Sequence, residues 1–99
     1  MKKRKVIISD RATNSLKRII TKLQRNGYLG ADKAKEAIIK RIKFLANHPE
    51  KDSRVAKFGR IEGDIRSVLA WNYRIYYLIA EEEIKVLDIF LDQDKEVKL

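Results

Sequence analysis

The stretch from Asp64 to Leu91, DIRSVLAWNYRIYYLIAEEEIKVLDIFL, narrows the possible folds most, because it reads as three consecutive β-strands with two short turns between them. Ile65 to Ala70 is short and apolar-rich, and Trp71-Asn72 stands where a tight two-residue turn is needed, with Asn able to take positive φ. Tyr73 to Ala80 is dense in aromatic and β-branched residues, Glu81-Glu82-Glu83 interrupts, and Ile84 to Leu91 is again almost continuously apolar. The result is a three-stranded antiparallel meander, and the residues before it serve as its cover.

Turn length decides which face each side chain occupies. A two-residue turn pairs Arg66 with Tyr77 and sets Arg66 on one face with Tyr73 and Ile75, and Arg74 on the other with Ser67 and Leu69. A three-residue turn instead aligns Arg66, Arg74 and Tyr76, since a slip of one residue moves every side chain to the other face. The sequence leaves both registers open.

Upstream, Val6-Ile7-Ile8 is a short strand that stops at Ser9-Asp10, both good helix caps. Ala12, Leu16, Ile19, Ile20 and Leu23 then recur at helical steps until Asn26-Gly27, opposite a face of Arg11, Lys17, Arg18, Lys22 and Arg25. Asp32 caps a second helix whose buried stripe is Ala34, Ile38, Ile42 and Leu45, and Asn47-His48-Pro49 ends it, because a residue before proline avoids the helical region. The pair forms an αα-hairpin. Glu50 to Gly63 shows neither period and reads as a connection with room for one short extra strand, whereas the mixed-charge Asp92 to Leu99 is expected to fray. The expected fold class is α+β, a single domain over residues 1–99: N-terminal strand, αα-hairpin, then the meander, with the helices packed on one face of the sheet.

The 99 residues carry a formal net charge of +9, and its distribution is uneven. Residues 1–60 hold 18 basic side chains against 5 acidic, while residues 61–99 hold 5 against 9, so the helical half is the cationic half. Such a balance favours nucleic acid, an acidic protein or an anionic surface as partner. The absence of cysteine removes disulfides, thiolate metal sites and cysteine nucleophiles, and fits a reducing cytosol. No apolar run approaches a membrane span and no signal-peptide core follows the basic start, so a cytoplasmic protein with no membrane partner is expected.

Most enzyme templates fail. No phosphate-binding glycine motif and no HExxH occurs, and a single histidine, His48, argues against a conventional metal site or a histidine-based triad, so neither a metal nor a cofactor is expected. At a helix end, His48 fits a capping role for the last helical carbonyls better than that of a base. The residues that draw attention are the cations of the connecting loop, Arg54, Lys57 and Arg60, and the strand arginines Arg66 and Arg74. A strand arginine must reach solvent, pair with a carboxylate such as Asp64 or Asp88, or offer its fork to an anion. Tyr73, Tyr76 and Tyr77 follow the alternation of a strand, so at least one belongs to the core, and a tyrosine on the open face, with Tyr76 and Tyr77 the candidates, could stack on a base or act as an acid.

The order of strand, αα-hairpin and meander in a basic chain, with SDRATNSLKRI at the first helix and DIRSVLAWNYRIYYLI in the meander, resembles the RelE/ParE toxin superfamily of type II toxin-antitoxin, or plasmid stabilization, systems. The resemblance runs from Val6 to about Phe90. Its marks are Asn47-His48-Pro49, Arg66 in the first strand of the meander, the Tyr73 to Tyr77 run in place of the family's YRVIY-like strand, and Leu87-Asp88-Ile89-Phe90 as its last strand.

The resemblance implies a growth-inhibiting toxin neutralised by a cognate antitoxin, in a toxin-antitoxin hetero-oligomer, and it divides in two. RelE-like members are ribosome-dependent mRNA endonucleases, in which basic groups bind the message and its 2′-hydroxyl attacks the neighbouring phosphate. ParE-like members share the fold and poison DNA gyrase. After the last strand, where the nucleases often carry His, Arg and Tyr, this chain reads Leu91-Asp92-Gln93-Asp94-Lys95-Glu96-Val97. Cleavage needs a proton acceptor, a proton donor and cations over the phosphate. If the chain were a nuclease, Arg66, Arg74, Tyr76 and Tyr77 would be its catalytic residues, but Asp92 and Asp94 would repel the message. The reading therefore favours a non-enzymatic, ParE-like toxin acting on a target such as DNA gyrase, with Arg54, Lys57, Arg60, Arg66 and Arg74 as target- or nucleic-acid-binding residues. The alternative is a RelE-like nuclease whose partners are the ribosome and mRNA.

Overall fold

The computed structural model describes residues 4–27 and 29–92. The expected fraying of the C-terminus and the charge pattern of residues 93–99 lie outside them. Strand β1 (Lys5–Ile8) leads into helix α1 (Asp10–Arg25) through Ser9, whose Oγ accepts from the Ala12 N–H at 3.0 Å and donates to the Leu87 carbonyl at 3.1 Å. One side chain thus caps the helix and pins its start to the last strand. At the other end Gly27 takes φ 77°, the left-handed turn expected after the helix.

Helix α2 (Ala31–Phe44) begins differently from expectation. Gly30 is its N-cap, with no side-chain cap, and Asp32 sits inside the first turn, where its charge faces the positive end of the helix dipole. A 3₁₀ turn (Pro49–Lys51) follows, then a two-residue strand β2 (Ser53–Arg54), the short extra strand of the connection. The meander is β3 (Asp64–Ala70), β4 (Tyr73–Ile79) and β5 (Glu83–Leu91). All five strands form one sheet in the order β1-β5-β4-β3-β2, and β1 runs parallel to β5 while the remaining pairs are antiparallel, so the sheet is mixed.

Ala70 pairs with Tyr73 and Arg66 with Tyr77, which resolves the register in favour of the two-residue turn. The positive φ falls on Trp71, at 59°, and not on Asn72. A bulky residue in this region is strained, so the turn sets its geometry against the preference of its first residue.

The helices cover one face. Ala12, Ile38, Ile42 and Leu45 from the helical half meet Val68, Ala70, Ile75, Tyr77, Ile84, Val86 and Ile89 from the sheet in a single core. On β5 the register shifts, Tyr76 facing Asp88 and Tyr77 facing Val86, so one residue is extra. Here Ile89 joins the core while its neighbour Asp88 reaches up to α1, accepting from Ser15 Oγ at 2.5 Å and from the Ile89 N–H at 2.8 Å and pairing with Arg11 Nε at 3.0 Å. A buried carboxylate is tolerable only with this degree of satisfaction.

Candidate functional site

The two-residue turn splits the four strand residues singled out in the sequence across the sheet. Arg66 and Tyr77 lie on the helix side. Arg66 Nε is 3.0 Å from Asp64 Oδ1, and its Nη1 donates to the carbonyls of Glu50 at 2.9 Å and Asp52 at 2.8 Å. The hydrogen bond to Asp64 raises the already high pKa of this guanidinium further. Tyr77 is fully buried, with its hydroxyl 2.7 Å from the Pro49 carbonyl and 2.9 Å from Asp52 Oδ2. Burial first, then the hydrogen bond to Asp52, push the phenol well above its ordinary pKa, so it holds its proton at any physiological pH. Arg41 Nη2 approaches the same carboxylate at 3.7 Å. Arg66 and Tyr77 together fasten the segment from Pro49 to Asp52 onto the sheet.

Arg74 and Tyr76 lie on the opposite, helix-free face. Arg74 Nη1 donates to Ser67 Oγ at 3.0 Å, and its Nε stands 3.4 Å from Asp92 Oδ1. Strand β3 sends Ile65, Ser67 and Leu69 to this face, none of them a cation. Tyr76 packs against two phenylalanines, Phe58 at 5.0 Å and, edge-on, Phe90 at 5.7 Å between ring centroids. Phe58 arrives from the connection between β2 and β3, which turns back on itself through a bridge from Phe58 to Ile61, with Gly59 at φ 59°. The loop therefore lies across the face, and Lys57 and Arg60 are its exposed cations. Neither makes an ion pair among the described residues. Arg54, at the sheet edge, is 3.4 Å from Asp64.

The structure therefore sets Arg74 and Tyr76 on one face, carries Lys57 and Arg60 on the loop whose Phe58 packs against Tyr76, and keeps Arg66 and Tyr77 on the other face. Phe58 and Phe90 were missed as parts of the site. Phe58 lies in an aperiodic loop, and the alternation in β5 that would have placed Phe90 is broken by the bulge. Leu69, Trp71, Phe90 and Leu91 are large apolar side chains left exposed on and around β3, β4 and β5. Among the described residues no cluster of three or more His, Asp or Glu side chains could hold a metal, and no helix is long and apolar enough to cross a membrane.

Comparison with protein families matches residues 6–94 to the model described as the ParE toxin of the type II toxin-antitoxin system, parDE. Comparison with curated proteins finds no match. Among solved structures, a chain of a chromosomal ParDE toxin-antitoxin system from P. aeruginosa superposes with a TM-score of 0.71 at 19% identity, over 89% of this chain and 95% of that one. A chain of the archaeal RelE-RelB complex from Pyrococcus horikoshii OT3 gives 0.66 at 15% identity, over 91% and 96%. The YoeB dimer from Staphylococcus aureus gives 0.61 at 16% identity, over 89% and 95%. At these identities the three likenesses carry the fold and nothing finer.

Proposed function

Since the chain belongs to the ParE toxin family of type II toxin-antitoxin systems, within the RelE/ParE superfamily, we propose that it acts as a ParE-like toxin: it arrests growth by binding a cellular target such as DNA gyrase and does not cleave RNA. The observation that carries this reading is the state of Arg74. It is the arginine that β4 offers the helix-free face, and Asp92 and Ser67 hold it. Cleavage of RNA by its own 2′-hydroxyl requires cations converging on one phosphate beside a proton donor and an acceptor. Here the phosphate would meet the carboxylate of Asp92, and Tyr77, one of the two candidate donors, is locked inside the core.

What that face does offer suits a protein partner. Phe58, Tyr76 and Phe90 form an aromatic centre, Leu69 adds exposed apolar surface, and Lys57 and Arg60 supply a charged margin, the arrangement of an interface with anchoring aromatics inside a polar rim. Lys57 and Arg60 are the cations through which it engages its target, with Arg54 at the edge, while Arg74, held by Asp92 and Ser67, shapes the face rather than offering its fork to an anion. Arg66 contributes by holding the Pro49–Asp52 segment in place.

An antitoxin is the second partner. The exposed edge of β1 and the cationic helical half suit an acidic chain that is partly disordered until bound, and their affinity should fall as salt rises. Induction of the protein in a bacterium tests the main reading: growth arrest with gyrase-linked DNA breaks supports it, and codon-spaced mRNA cuts in translating extracts overturn it in favour of a RelE-like endonuclease.

A further inference from the structure

On the helix side, remote from the face just described, the end of α2 presents an aromatic side chain to solvent. Phe44 is 38% exposed, and its ring lies 5.1 Å from that of His48, tilted by 43°. The Arg41 guanidinium is 5.6 Å from the centroid of the Phe44 ring and the Lys51 ammonium 5.9 Å. Beside the ring runs an open cleft of about 510 Å³ between Ala37, Lys40, Arg41, Lys43, Phe44 and Asn47. Its floor is apolar and its rim is cationic. Lys40 and Lys43 are three residues apart and share one side of the helix, while Lys51 reaches the same Phe44 ring from the 3₁₀ turn that follows.

The neighbouring carboxylates offset part of this charge, since Asp52 is shared by Tyr77 and Arg41, and Glu36, four residues before Lys40, lines the adjoining cleft with Lys40 and Lys43. Lys40, Lys43 and Lys51 make no ion pair among the described residues. Exposed aromatic rings inside a cluster of cations match one ligand chemistry better than others. A single-stranded nucleic acid has a flat face on every base and a charge on every linkage, and proteins that bind it combine stacking surfaces with a positive track. Arginine planes serve as stacking partners as well as rings. We propose that the end of α2 is a binding site for single-stranded nucleic acid, with a base seated against Phe44 and His48 and the flanking phosphates held by Lys40, Lys43 and Lys51. The toxin reading neither requires this site nor supports it.

Fluorescence anisotropy of the full-length protein with end-labelled oligothymidylate and oligouridylate at low salt, about 50 mM, tests it. Both strands should bind, and a third titration with oligodeoxyuridylate, which differs from oligouridylate only in the 2′-hydroxyl, identifies the preferred sugar. Phe44→Leu, which keeps the side chain apolar, should weaken binding by about tenfold, the loss expected for one stacked base. The double variant Lys40→Gln/Lys43→Gln should weaken it and flatten its salt dependence, whereas Lys17→Gln/Lys22→Gln on α1, with the same loss of charge, should leave it within about twofold. If Phe44→Leu proves unfolded by circular dichroism, the comparison of the two lysine pairs decides alone. Equal losses from the two pairs would mean diffuse attraction to a basic protein, and no binding of either strand at low salt would also overturn the assignment. So would displacement of the strands by an oligoglutamate of equal charge, since that would make the site one for acidic peptide.

Discussion

Arg66 and Tyr77 stand opposite each other on β3 and β4, and both close on the segment just after α2: Arg66 donates to the carbonyls of Glu50 and Asp52, and the Tyr77 hydroxyl meets the Pro49 carbonyl and the Asp52 carboxylate. An arginine and a tyrosine that the sequence offers as catalytic groups thus link the helical layer to the sheet. Removing the Tyr77 hydroxyl leaves the buried Pro49 carbonyl and the part-buried Asp52 carboxylate short of a donor, so Tyr77→Phe should cost about 1–3 kcal/mol. Arg66→Ala, which deserts Asp64 and two carbonyls, should cost at least as much. Urea unfolding followed by circular dichroism checks both, through a lower midpoint at unchanged slope.

The raised Tyr77 pKa makes stability depend on alkaline pH in a stated direction. Below pH about 10, the ordinary value, folded and unfolded chains both keep the proton and the buried bond contributes in full. Above it the unfolded chain releases the proton while the folded chain does not, so stability falls with rising pH by up to about 1.4 kcal/mol per unit from this group. Unfolding curves at pH 8 to 11 should show Tyr77→Phe losing less stability over that range than the parent protein. Parallel curves would contradict the assignment.

Asp88 and Arg11 form an ion pair of unequal members, the Asp88 side chain buried and the Arg11 side chain 73% exposed. Arg11→Ala should therefore change stability by less than about 1 kcal/mol, as exposed pairs do. Asp88→Ala should cost about 2–4 kcal/mol, because Ser15 and the Ile89 N–H lose their acceptor beneath α1. Thermal unfolding of the two variants separates these effects.

Tyr76 distinguishes a binding face from a catalytic one. If its role is to pack between Phe58 and Phe90, Tyr76→Phe keeps the ring and should leave growth inhibition within about twofold. If its hydroxyl is a general acid, the same change should lower activity by about 10² to 10⁴. A dose-response of growth arrest against induced protein level reads the difference, with Phe58→Ala expected to weaken inhibition in either case.

Much of this fold was legible because its elements announce themselves locally. The β-branched and aromatic run from Tyr73 to Ile79, the apolar steps of α2 and the Ser9 cap each depend on neighbours within a few residues. The short strand β2 was anticipated only as a position, since two residues carry no period. The faces of Arg66 and Arg74 were undetermined for a different reason: they depend on one turn, and the turn adopts its two-residue form with the positive φ on Trp71, the residue less suited to it. Of the two carboxylates considered as partners for the strand arginines, Asp64 pairs with Arg66, whereas Asp88 meets Ser15 and Arg11 beside the bulge in β5 and Arg74 is left to Asp92, the residue expected to repel phosphate. The aromatic cluster joins Phe58, Tyr76 and Phe90 from three separate segments, and no local pattern connects them.

The most direct test is to mix the purified protein with DNA gyrase, supercoiled plasmid and ATP, and to trap any cleaved intermediate with detergent and protease. The account predicts linear DNA that increases with toxin and disappears when the cognate antitoxin is added first. Intact plasmid at every toxin concentration, together with message cut at codon spacing by the same preparation on translating ribosomes, would contradict it.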